Sequence, residues 1–205
     1  LVIAGTFHFT FNKLNHEALS TQLKYAYDDA WAKPTSQNLL LGSSSIKRLN
    51  AKKFLQCGDW LNRGIGAATV PMLINYLKYS PLSISPKHIV FYAGENDIAK
   101  GNSVKQTLAN YKELLNIALA DFPNSKIHII AIKPSPARRK AWLSFEAVNE
   151  ELWQFAQIRP KVHFHAPKWQ SAKQLGSSAF LSDGVHLSEV GYKIFTREVN
   201  QTCHQ

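Results

Sequence analysis

Three serines follow a short apolar run near the front of the chain. In the segment "NLLLGSSSIKRLN" (38–50), three leucines lead to Gly42 and then to Ser43, Ser44 and Ser45. A serine hydroxyl in such a place can cap the helix that the next residues predict. It can also attack a carbonyl carbon, provided that a base takes its proton. The segment by itself favours caps, so a catalytic role depends on other reactive side chains.

An acid–base pair lies near the other end of the chain. The segment "LSDGVHLSEVGY" (181–192) places Asp183 three residues before His186. Imidazole titrates near neutral pH, so it can take a proton from serine and return it to a leaving group. A nearby carboxylate can hold its tautomer and stabilise the imidazolium. A single Asp-x-x-His segment usually has a structural role, and it indicates catalysis only when a nucleophile is also present.

Two further segments carry groups that could stabilise an oxyanion. In "NRGIGAAT" (62–69), Gly64 and Gly66 let the backbone turn sharply and approach a ligand closely. In "AGENDIA" (93–99), Asn96 offers a side-chain amide that can donate to an oxyanion. The structural alternatives are an ordinary strand-to-helix loop and an Asn-Asp turn.

Short apolar runs alternate with helical patterns along the chain. The predicted strands cover residues 38–42, 59–64, 88–94, 126–132 and 161–166. The predicted helices cover residues 15–31, 69–79, 103–122, 141–158 and 188–201. This alternation predicts one α/β domain over residues 1–205, with an N-terminal extension and helix over 1–37 and a core over 38–205. Ligands bind at the carboxyl ends of parallel strands, and a nucleophile, an oxyanion donor and an acid–base pair at those ends together indicate acyl transfer.

The composition is that of a globular domain with a basic surface. Hydrophobic residues make up 45% of the 205 residues, and Lys plus Arg outnumber Asp plus Glu by 24 to 14, for a net charge of +10. Positive charge attracts anionic partners over long range. The basic residues are scattered, and their densest run, 138–140, has no zinc-finger or RNA-binding signature beside it. We therefore expect no nucleic-acid partner.

No metal or cofactor site is predicted. His163 and His165 lie two apart, hence on one face of a predicted strand, but no third ligand is evident and a place in the core fits them better. Cys57 and Cys203 lie far apart in the chain and form no metal site by themselves. The sequence leaves open whether these two cysteines pair.

The compartment is predicted from the first residues. The chain starts with "LVIAGTFHF" (1–9) rather than with Met. Such an apolar start is typical of the end of a removed signal or anchor segment, and equally of an edge strand. We expect an extracytoplasmic protein, periplasmic or membrane-anchored and close to a membrane, in preference to a cytoplasmic one.

The four segments together resemble the SGNH, or GDSL-type, hydrolases. "LLLGSSSIKRL" is similar to the family's first block, "NRGIGAAT" to the second, "YAGENDIA" to the third and "DGVHLSEVGY" to the last, in that order over residues 39–192. "AIKPSPAR" (131–138) resembles a stretch of a bacterial branch that has a Gly-Ser-Ser first block. The resemblance implies a flavodoxin-like three-layer α/β/α sandwich with about five parallel strands.

The resemblance also implies a serine esterase that needs no metal or cofactor. Ser44 matches the family's nucleophile, His186 its base and Asp183 the carboxylate that orients the base. The oxyanion hole would consist of the backbone N–H groups of Ser44 and Ala67 and the side-chain amide of Asn96.

Two residues depart from the family pattern. Ser43 stands where many members carry Asp, and Ala67 stands where members usually carry Gly. Alanine keeps the backbone N–H but lacks glycine's freedom at positive φ. If the loop has an ordinary conformation, activity should survive. If the loop requires positive φ, the hole should be distorted or served by Gly66 instead.

The implied reaction is the hydrolysis of carboxylic esters through an acyl-enzyme intermediate. No long apolar lid segment is visible, which favours short acyl groups on a polar or carbohydrate substrate, with Gly66 and Arg138 as candidate substrate contacts. The alternative is a catalytically weakened member that binds an acylated glycan or a partner protein, and Ala67 is the feature that supports it. The sequence carries no signal for the oligomeric state.

Overall fold

The structure is a computed structural model that describes residues 16–80, 82–169 and 176–202. Within these ranges, five strands form one sheet in the order β2-β1-β3-β4-β5. The strands are β1 Asn38–Gly42, β2 Trp60–Gly64, β3 His88–Tyr92, β4 Lys126–Ile130 and β5 Val162–His165. All four pairings are parallel, as the alternation of strands and helices predicted.

The helices fill the connections between these strands. They are α1 His16–Trp31, α2 Ser44–Lys47, α3 Ala51–Phe54, α4 Val70–Tyr79, α5 Glu95–Ala99, α6 Val104–Asp121, α7 Trp142–Gln157 and α8 Glu189–Thr202. The five long helices lie within one residue of their predicted bounds, and several of the outermost predicted residues are caps. Ser103, for example, accepts from the backbone N–H of Gln106 in a capping box at the start of α6.

The alternation of side chains in β1 builds two separate cores. Leu39 and Leu41 pack in a cluster that includes residues of α1, α4, α6 and α7. Leu40 packs on the other side of the sheet, with Ile46 of α2 and with residues of α8. Successive strand residues point to opposite faces, so a fully apolar strand requires helices on both. The sheet lies between two helical layers, which confirms the predicted three-layer α/β/α sandwich.

A buried carboxylate joins α1 to the sheet. Asp29 accepts hydrogen bonds from Arg63 Nε of β2 at 3.0 Å, from the Tyr76 hydroxyl at 2.6 Å and from Ser80 Oγ at 2.7 Å. Asp29 and Arg63 are both buried, and removing one partner of a buried pair leaves an uncompensated charge. Helix α1 is therefore firmly attached to β2 and α4.

Candidate active site

The serine turn lies at the centre of the carboxyl edge of the sheet. Since β1 lies between β2 and β3, the loops after those two strands flank the turn on either side. The turn begins at Gly42, where a Cβ would clash with the carbonyl oxygen of Tyr92. The same carbonyl accepts from the Ser43 N–H at 3.0 Å. Only glycine lets the ends of β1 and β3 approach this closely.

Ser44, His186 and Asp183 form one chain of contacts. Ser44 Oγ lies 3.2 Å from His186 Nε2, and these residues are 142 positions apart in the sequence. His186 Nδ1 lies 2.6 Å from Asp183 Oδ2. Ser44 and His186 are half-buried, and Asp183 is exposed. A nucleophile, a base and an orienting carboxylate in this order are the arrangement that activates a serine hydroxyl.

Asp183 is held by its own loop. Its Oδ1 accepts from the backbone N–H groups of Val185 and His186, both at 2.9 Å. The hydrogen bond with the His186 ring, followed by the two backbone bonds, lowers the pKa of Asp183 far below its ordinary value. The carboxylate is therefore charged at neutral pH. It directs the Nδ1–H of His186 toward itself and leaves Nε2 to accept a proton from Ser44.

The three serines have three different partners. Ser43 donates to Glu95 Oε1, and Ser45 accepts from Lys133 Nζ at 2.9 Å. Both of these serines are buried, whereas Ser44 is half-buried beside the imidazole. Among the three, only Ser44 therefore combines contact with an imidazole and partial exposure to a substrate.

Ala67 adopts a left-handed backbone conformation that has a lower energetic cost for glycine than for alanine. Its φ is +54°, in the left-handed region, whereas Gly66 has no positive φ. The loop thus requires positive φ at Ala67, which costs an alanine about 1–2 kcal/mol. Lys100 Nζ donates to the Ala67 carbonyl at 3.2 Å. The Ala67 N–H donates to no acceptor among the described residues, so this donor is unoccupied by them.

The carboxamide of Asn96 is held at both ends. Its Nδ2 donates to the carbonyl of Ala68 at 2.9 Å. Its Oδ1 accepts from Arg138 Nη2 at 2.8 Å. Because a carboxamide nitrogen carries two N–H donors, one of them remains for a ligand. The guanidinium of Arg138, predicted as a substrate contact, lies against this amide.

Asp97 links the loops after β2 and β3. Residues 95–99 form the short helix α5 rather than the simple Asn-Asp turn considered above. Both carboxylate oxygens of Asp97 lie 3.1 Å from the Val70 N–H at the start of α4. Burial raises the pKa of Asp97 to about 6, although the hydrogen bond from Val70 opposes this shift. The Asp97 contact fixes the segment of Ala67 relative to that of Asn96.

Other predictions concern metals, membranes and the ends of the chain. Within residues 16–80, 82–169 and 176–202, no group of three or more His, Cys, Asp or Glu side chains is arranged to hold a metal ion. The helices of this described part are too short or too polar to cross a membrane. Cys203 and the apolar start (1–9) lie outside the described residues, so the cysteine pairing stays open and the predicted compartment stays a prediction.

Residues 41–194 match the profile of the GDSL-like lipase/acylhydrolase family. The chain belongs to this family. The resemblance that the four sequence blocks indicated is therefore confirmed. No curated protein sequence matches the chain.

Solved structures of GDSL-type and related proteins share the fold. A Streptococcus pneumoniae protein named for platelet activating factor has a TM-score of 0.82 and 22% identity, covering 94% of this chain and 95% of its own. A GDSL-like lipase from Bacteroides thetaiotaomicron has a TM-score of 0.74 and 21% identity, covering 89% and 97%. A family 3 carbohydrate esterase from Clostridium thermocellum has a TM-score of 0.59 and 17% identity, covering 82% and 98%. At these identities, the likeness shows the fold alone.

Two buried charged residues of this GDSL-family site were missed by the sequence analysis. Lys133 is 1% exposed, and its Nζ donates to Ser45 and, at 3.0 Å, to the hydroxyl of Tyr92. Burial lowers the pKa of Lys133 to about 8, although attraction to Glu95 opposes the shift. Glu95 in turn accepts from Ser43, so a carboxylate lies beside the position where many members carry Asp. The available signal was the location of both residues directly after apolar runs.

Proposed function

We propose that this GDSL-family chain is a serine esterase that cleaves carboxylic esters, with short acyl groups on a polar or carbohydrate alcohol, through an acyl-enzyme intermediate. The observation that carries the proposal is the 3.2 Å approach of His186 Nε2 to Ser44 Oγ. The 2.6 Å contact between His186 Nδ1 and Asp183 supports it, because an oriented imidazole is what makes serine a nucleophile.

The reaction has two steps with the same groups. His186 takes the proton of Ser44 while Oγ attacks the ester carbonyl carbon, and the carbonyl oxygen becomes an oxyanion. The imidazolium then gives its proton to the leaving alcohol as the C–O bond breaks, which leaves the acyl group on Ser44. Water, deprotonated by His186, attacks the acyl carbon of this acyl-enzyme; the bond to Ser44 Oγ then breaks, the imidazolium returns the proton to Oγ, and the acid is released. Asp183 stabilises the imidazolium in both steps.

The oxyanion would be bound from both sides of the serine turn. The Ala67 N–H comes from the loop after β2, the Asn96 amide comes from the loop after β3, and the Ser44 N–H lies between them. Preorganised donors of this kind stabilise charge that develops only in the transition state, and losing one typically lowers turnover about 10²–10³-fold. Ala67 has the positive φ for which a distorted hole was expected, but its N–H donates to no acceptor among the described residues. This available donor supports catalysis over the weakened, purely binding alternative.

The substrate class is inferred from two observations. No long apolar lid segment is visible in the sequence, which speaks against long acyl chains. The fold is shared with a family 3 carbohydrate esterase from Clostridium thermocellum, which favours an acyl group on a sugar. Gly66, in the loop after β2, stays a candidate substrate contact.

A fluorophosphonate probe tests the nucleophile directly. We expect one adduct per chain, located on Ser44 by peptide mass spectrometry, together with hydrolysis of p-nitrophenyl acetate. The Ser44→Ala variant should lose both. Ser45→Ala is the matched control, because its hydroxyl bonds to Lys133, and it should keep the adduct. An adduct or full turnover in Ser44→Ala would remove Ser44 from the mechanism.

A series of p-nitrophenyl esters tests the acyl length. We expect the highest kcat/KM for acetate or butyrate and a steep fall toward dodecanoate. Release of acetate from an acetylated oligosaccharide would support a carbohydrate alcohol. A maximum at long chains would overturn the short-acyl part of the proposal while leaving the serine mechanism in place.

A further inference from the structure

Arg138 lies in a turn that follows β4, and its side chain reaches into the candidate oxyanion hole. The turn, Pro136–Ala141, is a 3₁₀ segment. Arg138 is half-buried, and its Nη2 donates to Asn96 Oδ1 at 2.8 Å. This is a hydrogen bond from a cation, which is shorter and stronger than a bond between neutral groups.

The backbone around Arg138 is fixed to the rest of the site. The Arg138 N–H donates to the Ser135 carbonyl at 3.0 Å, and Trp142 Nε1 donates to that same carbonyl at 3.0 Å. The Ala137 N–H donates at 3.1 Å to the carbonyl of Gly184, which lies in the loop of Asp183 and His186. The turn therefore holds Arg138 in a defined place relative to the acid–base pair.

The two contacts of Asn96 specify one orientation of its carboxamide. A guanidinium has only donors, so the atom beside Arg138 has to be the amide oxygen. The carbonyl of Ala68 is only an acceptor, so the atom beside it has to be the amide nitrogen. A flipped carboxamide would point its oxygen toward the oxyanion and repel it. Both neighbours exclude this flip, and the Arg138 charge also polarises the amide, which strengthens its free N–H as a donor.

We propose that Arg138 is a positioning residue of the esterase: it holds the Asn96 carboxamide so that the free Nδ2–H meets the oxyanion. This inference rests on the proposed function. It assigns Arg138 to the oxyanion hole, through Asn96, rather than to a contact with the substrate. Its effect on turnover cannot exceed the effect of losing Asn96 itself.

Fold stability does not account for this placement of Arg138. Its Nη1 is buried and makes no hydrogen bond with any described residue, and an unpaired buried donor is unfavourable. The charge of Arg138 also contributes to lowering the pKa of the buried Lys133, which is the sign of repulsion between two cations. A side chain that tolerates both penalties is expected to serve catalysis more than folding. Removing it should therefore change the melting temperature little.

Steady-state kinetics on p-nitrophenyl acetate give the first test. Arg138→Met should lower kcat about 10–100-fold, less than the about 10²–10³-fold expected for a fully lost oxyanion donor, and change KM less than about twofold, because the oxyanion contact forms only in the transition state. Arg138→Lys, which keeps a charged donor, should recover part of the loss. Arg139→Met is the matched control, since Arg139 is exposed and stacks on Trp142. A rise in KM at constant kcat would overturn the proposal and make Arg138 a substrate contact.

A double-mutant cycle tests whether Arg138 acts through Asn96. In the Asn96→Ala background, Arg138→Met should lower kcat by less than about twofold, because no carboxamide remains to be positioned. Multiplicative effects of the two substitutions would overturn the proposal.

The Asn96 side-chain amide signals in ¹⁵N NMR spectra provide a readout that needs no catalysis. In the wild-type protein, the two Nδ2–H protons should give separate signals with slow solvent exchange, assigned by their loss in Asn96→Ala. In Arg138→Met, their exchange with solvent should accelerate. Unchanged signals would overturn the inference. A wild-type protein that neither hydrolyses esters nor reacts with the fluorophosphonate would instead overturn the proposed function, whatever the amide signals show.

Discussion

Two groups of imidazoles in this molecule lie in opposite environments. His186 lies at the carboxyl edge of the sheet, half-buried, with its Nδ1 2.6 Å from a charged carboxylate. The histidine row lies on β3, β4 and β5 and consists of His88, His128, His163 and His165. In register, His128 of this row is level with Val90, which belongs to the core beneath α8. One imidazole thus lies in the candidate active site, and four lie along one face of the sheet.

The histidine row is linked by its own ring nitrogens. His128 Nε2 lies 2.9 Å from His88 Nδ1, and His128 Nδ1 lies 2.9 Å from His165 Nε2. Burial, with added repulsion from the neighbouring imidazoles and from Lys126, lowers the pKa of His128 to about 2. Burial and His163 lower the pKa of His165 to about 4, even though Glu198 lies 3.9 Å away.

The difference shows that the surroundings decide what an imidazole does. Beside an ionised carboxylate and a serine, it is oriented to accept a proton from the hydroxyl. Among apolar side chains and other imidazoles, its charged form is excluded, and it serves as a neutral donor and acceptor. The row therefore tends to make the fold sensitive to acid, whereas the carboxyl edge carries the groups that the proposed reaction needs.

The largest effect is expected from removing the carboxylate that distinguishes His186 from the row. Asp183→Asn should lower kcat about 10⁴-fold with a small change in KM, because a neutral amide neither favours the reactive tautomer nor stabilises the imidazolium. The measurement is steady-state hydrolysis of p-nitrophenyl acetate. Ser182→Ala, an exposed neighbour, is the control. A wild-type kcat in Asp183→Asn would show that His186 acts without its carboxylate partner, and that the carboxylate is not what distinguishes it from the histidine row.

The second prediction concerns how the histidine row makes the stability of the fold depend on pH. The pKa values of His128 and His165 lie below the ordinary 6.5, so the unfolded chain binds protons that the native chain does not. The free energy of unfolding should be fully present above pH 6.5 and should fall as the pH drops toward about 4. Each such proton contributes a slope of about 1.4 kcal/mol per pH unit.

His128→Gln should make this slope shallower by about 1.4 kcal/mol per pH unit between pH 6 and pH 4.5, since one fewer group takes up a proton on unfolding. Urea unfolding at several pH values measures it. The same comparison at pH 8, where the row is neutral in both states, separates the lost hydrogen bonds and packing from the titration. Equal slopes in the two proteins would show that the row does not account for the sensitivity to acid.

The smallest effect is expected from relieving strain at the edge. Ala67→Gly should raise the free energy of unfolding by up to about 1 kcal/mol, because glycine adopts φ near +54° without penalty. Ala68→Gly is the matched control. Ala68 is buried and has no positive φ, so this substitution should lower the free energy of unfolding by about 1 kcal/mol. Turnover of Ala67→Gly should change only a few-fold. A loss of stability in Ala67→Gly would show that the loop is not strained.

Much of the fold could be predicted because its determinants are local. The run Leu39 to Leu41 is apolar on both faces, which requires a strand between two helical layers. The spacing of apolar residues in the long helices is also a local feature, and the predicted helix ends lie within one residue of the observed ends. The 95–99 segment was harder, since a five-residue helix with its Asp97 carboxylate bound to Val70 depends on a contact with another loop.

The residues of the candidate site were suggested by type and spacing, together with the family blocks. Asp183 and His186 lie three apart, and one loop suffices to bring their side chains together. The partners of Asn96 could not be predicted in this way. Arg138 follows β4 in the chain, and the sequence indicated it as a substrate contact rather than as a partner of Asn96.

The alternation of strands and helices, the family and the set of reactive side chains could be predicted from the sequence, because each depends on residues close together in the chain. The packing of the elements brings Ser44, the serine that the family blocks indicated, to the imidazole, gives Ala67 its positive φ, and buries Lys133, His128 and His165. These properties depend on distances and burial between elements up to 142 positions apart. Packing sets such distances, and packing also sets how strongly water is excluded around each charge.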